Sequence, residues 1–171
     1  MAIRTIHTVG DPVLTKVAEK IQTINEDIRQ LAKDMVQTMH EAPGVGLSAP
    51  QVNVSRRLIT IDLSIGKNAD ELIILVNPEI LSQEGSCLSE EGCLSVPGYS
   101  EKVDRPARVK VKGLDLDGEE IMFEAEDLLA RAFCHEIDHL DGKLFIDRLS
   151  PLKRQLIKRK LRKELPADKR L

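Results

Sequence analysis

Aromatic residues are nearly absent from this sequence: they make up 2% of its 171 residues, and there is no Trp. The core must therefore be aliphatic, and binding of single-stranded nucleic acid by base stacking is disfavoured. No apolar run approaches the roughly 18 residues that span a bilayer, and there are no internal repeats or low-complexity linkers. A chain of this length suits one domain with a real hydrophobic core.

Cysteine is also scarce, and the three in the chain are Cys87, Cys93 and Cys134. Their number is odd, and the chain opens with Met-Ala-Ile-Arg-Thr instead of the apolar run of a secretory signal. A disulfide framework is therefore disfavoured, and a reducing, cytoplasmic environment is expected.

The net charge of −3 conceals a strongly basic end. Residues 151–171 hold nine Lys and Arg against Glu164 and Asp168, a net +7, which leaves −10 on residues 1–150. Apolar residues recur in this segment at helical spacing: Leu152, Leu156, Ile157, Leu161 and Leu165.

This pattern predicts a basic amphipathic helix opened by Pro151. The helix is expected to belong to the same single domain as residues 1–150, with Leu152 and Leu156 covering the core. Two interpretations of its charge are compatible: a solvated helix that packs one apolar stripe on the domain, and a surface that attracts a polyanion.

The most informative motif is H-E-I-D-H, from His135 to His139. Residues four apart share one face of a helix, so His135 and His139 can direct ring nitrogens at one ion. Glu136 is close enough to take a proton from a water on that ion. Two histidines that merely line a helix would not need the adjacent Glu, so the motif favours a metal-dependent hydrolase.

Such a site needs a third protein ligand, and its fourth position is left for water. Downstream, Phe145 stands where one familiar pattern has a third histidine, and Gly142 is interpreted as the end of the helix. Glu164 lies in the basic segment and is a poor candidate. The third ligand is therefore expected upstream.

All three cysteines lie upstream of His135, and two of them, Cys87 and Cys93, are candidates. Cys134 lies about 100° round the helix from His135 and is expected to face the core. Cys87 has no partner motif and suits a small buried position. Cys93 is followed by Pro97 and Gly98, which indicate an exposed, turned backbone. Spacing favours Cys93 over Cys87 without excluding either.

Hydrophobic periodicity predicts an α+β fold with mostly antiparallel sheet. The predicted helices are Asn25–Glu41, Ala125–Asp141 and the basic C-terminal segment. The predicted strands are Arg57–Leu63, Leu72–Val76, Ala107–Gly113 and Glu119–Glu124, the last two joined by a turn at Asp117-Gly118.

Three motifs stand in order along the chain: G-V-G-L-S-A-P-Q ending at Gln51, E-G-C-L-S around Cys93, and H-E-I-D-H. This set resembles the peptide deformylase family, from Gly10 to Asp147. Ser48 is a departure, because the family more often has Ala, and the change is small for small. The resemblance implies a central metal-binding helix cradled by small sheets, with residues 1–150 as the catalytic part.

The resemblance also implies an activity, the removal of the N-formyl group from the formyl-methionine of new bacterial polypeptides, with release of formate. It implies Fe²⁺ as cofactor, with Zn²⁺ as a substitute, and the ribosome as a partner of the C-terminal helix. No DNA or membrane partner is expected. The implied roles are metal binding by Cys93, His135 and His139, proton transfer by Glu136, and oxyanion stabilisation by the Gln51 amide and the Leu94 backbone N–H. Without the resemblance, Gln51 would be interpreted as a loop-bracing amide.

Substrate contacts follow from strand-like pairing and helical spacing. Val45, Gly46 and Gly92 are candidates to bind an extended peptide main chain. Leu128, Arg131 and Ala132, one and two turns before His135, are expected to line the pocket for the first side chain, opposite Val45. Arg131 is expected at the rim with its head group in water.

Two other classes remain open. One is a general metalloendopeptidase that uses the same helix. It is weakened by Phe145 at the position of the downstream ligand and by the missing secretory signal. The other is a structural metal site, which would usually be closed by four protein ligands and would give Glu136 no role.

Overall fold

The computed structural model describes residues 2–164 of the chain. The helices are α1 (Glu26–Glu41), α2 (Asp127–Leu140) and α3 (Pro151–Glu164). The strands are β1 (Gly46–Ser48), β2 (Leu58–Ile61), β3 (Ile73–Glu84), β4 (Cys87–Cys93), β5 (Val96–Arg105), β6 (Arg108–Leu114) and β7 (Glu120–Glu126). The α+β class predicted from the sequence is confirmed. No helix within the described range is long and apolar enough to cross a membrane.

The strands form two sheets. Five of them lie in the order β1-β2-β3-β6-β7, and β4 and β5 form a separate two-stranded ribbon. Every pairing between these named strands is antiparallel, as the sequence predicted. The β4–β5 ribbon and the length of β3 were not predicted. The residues of the ribbon and of the second half of β3 are largely charged and polar. They lack the alternation of apolar residues by which strands are recognised in a sequence.

Local signals set the ends of the first two helices. Asn25 precedes α1 as its N-cap, and its side chain accepts a hydrogen bond from the Ile28 backbone N at 3.0 Å. Helix α2 begins at Asp127 because the two residues before it still belong to β7. Gly142 follows the end of α2 with φ of +76°, which confirms its role in helix termination.

Helix α2 lies at the centre of the main core. Its Phe133, Ile137 and Leu140 pack against sheet residues that include Ile59 and Val111. A second cluster joins α1 to the opposite face of the same sheet, and a third lies beneath the β4–β5 ribbon. The large buried apolar side chains of the described residues are aliphatic apart from Phe133 and Phe145.

The face that α3 buries differs from the prediction. Leu161 is 2% exposed and packs in the third cluster with Ile157, whereas Leu152 and Leu156 are 67% and 45% exposed. The expectation that Leu152 and Leu156 cover the core is therefore wrong. The distal turns of α3 contact the third cluster, through Ile157 and Leu161. Helical spacing alone could not predict which turns of the helix do so. Leu165, the last residue of the predicted stripe, lies outside the described residues.

Candidate active site

The structure brings the three predicted metal ligands together. The two histidine Nε2 atoms, one turn apart on α2, are 3.2 Å from each other, and Cys93 Sγ lies 3.3 Å from His139 Nε2. Cys93 ends β4, where the ribbon turns, whereas Cys87 begins the same strand and lies outside this cluster. Cys134 packs in the main core, as expected, and burial raises the pKa of its thiol to about 11.

The separations within this cluster suit a bound cation. Three electron-rich atoms that face one another repel unless a proton or a metal lies between them. Tetrahedral bonds of about 2.0–2.3 Å place N and S ligands roughly 3.3–3.6 Å apart, close to the two separations from His139 Nε2, and all three atoms lie within 4.8 Å of one another. The cluster of Cys93, His135 and His139 can therefore hold a metal ion.

Glu91 fixes the orientation of one metal-ligand candidate. Its carboxylate lies 2.7 Å from His135 Nδ1, which must carry a proton to make this hydrogen bond, so the Nε2 lone pair faces the cluster. Burial acts to raise the pKa of Glu91, but the bonds from His135 and Arg105 outweigh it and hold this pKa well below its usual range. Sequence reasoning missed Glu91, although it stands two residues before Cys93.

Two arginines neutralise this buried carboxylate. Arg105 donates to both Glu91 oxygens, at 2.7 and 3.1 Å, and also contacts Asp138 on α2. Arg131 donates to Glu91 at 2.9 Å and to the Cys87 carbonyl at 2.7 Å. The prediction that the Arg131 head group lies in water is therefore wrong. A buried carboxylate needs cationic partners, and Arg131 is one of them.

Glu136 lies against Gly46, the first residue of β1. It is 4% exposed, and its Oε2 has no hydrogen-bond partner within the described part of the chain. A Cβ at Gly46 would stand 2.5 Å from Glu136 Oε1, so this position requires glycine to admit the carboxylate. Burial raises the pKa of Glu136 to about 7. A carboxylate in this environment is suited to exchanging protons near neutral pH.

Gln51 is locked at both ends of its side-chain amide. The oxygen accepts from Ser48 N at 3.0 Å and from Ser48 Oγ at 3.1 Å. The nitrogen donates to Ser95 Oγ at 3.1 Å and points towards Cys93 Sγ, 3.7 Å away. The sulfur also accepts from Ser95 N at 3.4 Å. Gln51 braces its loop and also presents its NH₂ group to the ligand cluster.

The remaining predicted residues surround one cleft of about 420 Å³ above the cluster. On one side is β1, an edge strand of the main sheet, and on the other is β4. Leu128 is 53% exposed at the mouth, whereas Ala132 is buried. His139 is fully buried beneath the floor. The predicted residues that line the cleft are Val45, Gly46, Gln51, Gly92, Cys93, Leu94, Leu128, Arg131, Ala132, His135 and Glu136.

A cluster able to hold a metal, beside a buried carboxylate and under an open cleft, is the arrangement of a metallohydrolase. Comparisons with known proteins define the class further. The model of the family described as polypeptide deformylase matches residues 3–155.

Curated relatives match nearly the whole chain. The peptide deformylase of Acidobacterium capsulatum is 53% identical over 163 residues, 95% of this chain and 96% of that protein. That of Thermodesulfovibrio yellowstonii is 54% identical over 162 residues, 95% of this chain and 98% of that protein.

Solved structures agree. A peptide deformylase from Legionella pneumophila has a TM-score of 0.89 and 49% identity, and 95% of each chain is covered. One from Ehrlichia chaffeensis in complex with actinonin has a TM-score of 0.87 and 37% identity, with 96% of this chain and 98% of that chain covered. The chain belongs to the polypeptide deformylase family. The resemblance predicted from three motifs, and the deformylase function that it implied, are confirmed.

Proposed function

We propose that this chain removes the N-formyl group from the formyl-methionine end of newly made polypeptides and releases formate. The observation that carries the proposal is the cluster of Cys93, His135 and His139 with the buried Glu136 beside it, at the floor of a cleft between two strands. Family membership supports the same reaction.

One divalent ion is held by the Cys93 thiolate and the Nε2 atoms of His135 and His139. Three protein ligands leave a position for water, as catalytic sites require. When bound, the ion supplies Lewis acidity and brings the pKa of a coordinated water towards neutrality. We assign Fe²⁺ as the native ion, as the resemblance to the family implies, and Zn²⁺ as its substitute, because it accepts the same imidazole and thiolate ligands.

Glu136 moves the proton. Its carboxylate takes a proton from the attacking water and gives it to the amine nitrogen as the bond to the formyl carbon breaks. The raised pKa of this group, about 7, and the lack of a fixed partner on Oε2 among the described residues support this role.

The Gln51 side chain and the Leu94 backbone N–H stabilise the negative charge that develops on the formyl oxygen. Supporting this, the bonds from Ser48 leave the Gln51 NH₂ group directed towards the ligand cluster. Leu94 follows the candidate ligand Cys93 directly and lines the same cleft.

The substrate lies extended between β1 and β4. Val45, Gly46 and Gly92 bind its main chain by strand-like hydrogen bonding. Val45, Leu128 and Ala132 form an apolar slot that suits the unbranched methionine side chain. Arg131 contributes indirectly, since its guanidinium holds Glu91 behind this slot.

A formyl-peptide assay tests this function. Protein purified without oxygen is incubated with a short formyl-methionyl peptide and with the same peptide lacking the formyl group. We expect formate from the first and no cleavage of the second. Internal cleavage of both would indicate a metalloendopeptidase, and bound metal without any hydrolysis would indicate a structural site.

The C-terminal helix docks on the ribosome in the cytoplasm, while residues 1–150 form the catalytic part of the same single domain. Packing of Leu161 beneath the β4–β5 ribbon supports one domain. The other side of α3 presents exposed cations, which suit attraction to RNA phosphates.

Binding of purified ribosomes across a salt titration tests this partner. One variant carries four Gln substitutions on α3, at Arg159, Lys160, Arg162 and Lys163, all exposed. A control carries four at exposed lysines elsewhere, Lys16, Lys20, Lys33 and Lys67. We expect weaker binding and a shallower salt dependence for the α3 variant alone. Equal loss in both variants would mean that α3 makes no specific contact.

A further inference from the structure

Ser48, the last residue of β1, is fully buried and contacts the candidate oxyanion donor Gln51. Both its backbone N and its Oγ lie within hydrogen-bond distance of Gln51 Oε1, at 3.0 and 3.1 Å. An amide oxygen only accepts hydrogen bonds, so the Ser48 hydroxyl must donate its proton here. The backbone N–H is also a donor, which excludes a flipped amide.

The hydrogen bonds on the nitrogen side of the Gln51 amide also have a defined direction. Ser95 Oγ lies 2.7 Å from the His7 carbonyl and must donate to it, which leaves the Ser95 lone pairs for a Gln51 Nε2 hydrogen at 3.1 Å. The second Nε2 hydrogen is directed to the side of Cys93 Sγ, at 3.7 Å, where the cleft opens. Hydrogen bonds that run in one direction polarise one another.

We propose that the Ser48 hydroxyl is a positioning residue that holds and polarises the Gln51 amide for the developing oxyanion. The proposal rests on the role of Gln51 in the proposed function. The hydroxyl adds a second donor to Oε1, which narrows the rotation of the amide and makes its NH₂ group more positive. An alanine at this position keeps only the backbone donor. Ser48 is therefore more than a small residue that fills space.

Steady-state kinetics on a short formyl-methionyl peptide test this role. A net hydrogen bond of about 0.5–1.5 kcal/mol corresponds to roughly a 2- to 10-fold effect. We expect Ser48→Ala to lower kcat by about this factor while KM stays within about twofold, because the amide acts on charge that develops in the transition state.

Thr60→Val is the matched control. Thr60 is also fully buried, and it pairs with Leu47 on the neighbouring strand. Its hydroxyl contacts the Leu47 carbonyl and Met39 Sδ. Loss of the Thr60 hydroxyl should leave kcat within about twofold of wild type. Removal of any buried hydroxyl from this sheet is then not enough to lower kcat, and a larger loss in Ser48→Ala is specific to Ser48.

A double-mutant cycle separates positioning from general disturbance. If Ser48 acts through Gln51, Ser48→Ala should have no further effect on kcat in a Gln51→Ala background. Wild-type kcat in Ser48→Ala, or the same fold loss in both backgrounds, would overturn the proposal while deformylase activity stands. A wild-type protein that releases no formate would instead overturn the proposed function together with it.

Discussion

Helices α2 and α3 are both 14 residues long, but they are buried to very different extents. Every residue of α2 from Ala130 to Leu140 is buried, and these include two histidines, a glutamate, an aspartate and an arginine. In α3, Leu161 alone is buried. Burying polar groups is costly unless they are paired. The polar groups of α2 therefore point to chemistry. In α3, the exposed cations of the distal turns, Arg159, Lys160, Arg162 and Lys163, remain available to a partner.

The largest expected effect lies in the three ligand candidates on α2 and β4. Cys93→Ala, His135→Ala and His139→Ala should each lose bound metal and formyl-peptide hydrolysis, because two ligands do not retain an ion that three hold. Metal content and formate release are measured on the same samples. Cys87→Ser is the matched cysteine control and should keep both. Full metal occupancy in Cys93→Ala would remove Cys93 from the site.

Substitution of the buried carboxylate on α2 should have the next largest effect. We expect Glu136→Gln to retain metal and lose about two to four orders of magnitude in kcat, as for a lost acid–base group. Stopped assays with metal analysis measure both quantities. Turnover close to wild type would assign proton transfer to another group.

A smaller effect is expected at Glu91, whose carboxylate contacts Nδ1 of the candidate ligand His135. Glu91→Gln weakens the bond that orients His135, and loss of such a partner typically costs about 10- to 100-fold in metal affinity. Glu90→Gln is the control, since Glu90 is exposed and bonds Ser100. Competition with a chelator measures the affinity. Equal affinity in the two variants would show that the imidazole needs no orienting carboxylate.

Substitutions in α3 should have the smallest effect on activity. Their main effect should be on the free energy of unfolding. Leu161→Ala empties a buried site and should cost about 2–5 kcal/mol in the free energy of unfolding. Leu152→Ala, at a residue 67% exposed, should change it by no more than about 0.5 kcal/mol. Urea unfolding compares the two. Similar losses would mean that α3 packs through its first turn after all.

Local patterns predicted much of this molecule. The i,i+4 histidines and the apolar stripe of α1 are properties of short segments, and they located both helices. Three short motifs sufficed for the family, and the residues predicted around the cleft do line it.

Long-range contacts could not be predicted in this way. Glu91 and His135 are 44 residues apart, and the guanidinium of Arg131 is buried only because that carboxylate lies behind His135. The same holds for α3, where helical spacing identified five apolar residues but not the ones that meet the β4–β5 ribbon. The contact of Ser48 with Gln51 spans only three residues, but a small-for-small replacement gives no signal for it in the sequence.

The central claim is that one metal ion, held by Cys93, His135 and His139, is required for deformylation. The direct measurement is formate release by metal-free protein to which Fe²⁺ is added stepwise without oxygen. We predict that the rate rises in proportion to added metal and stops rising at one ion per chain, while Cys93→Ala stays inactive throughout. Full activity in the metal-free protein, or in Cys93→Ala at the same metal concentration as wild type, would contradict the account.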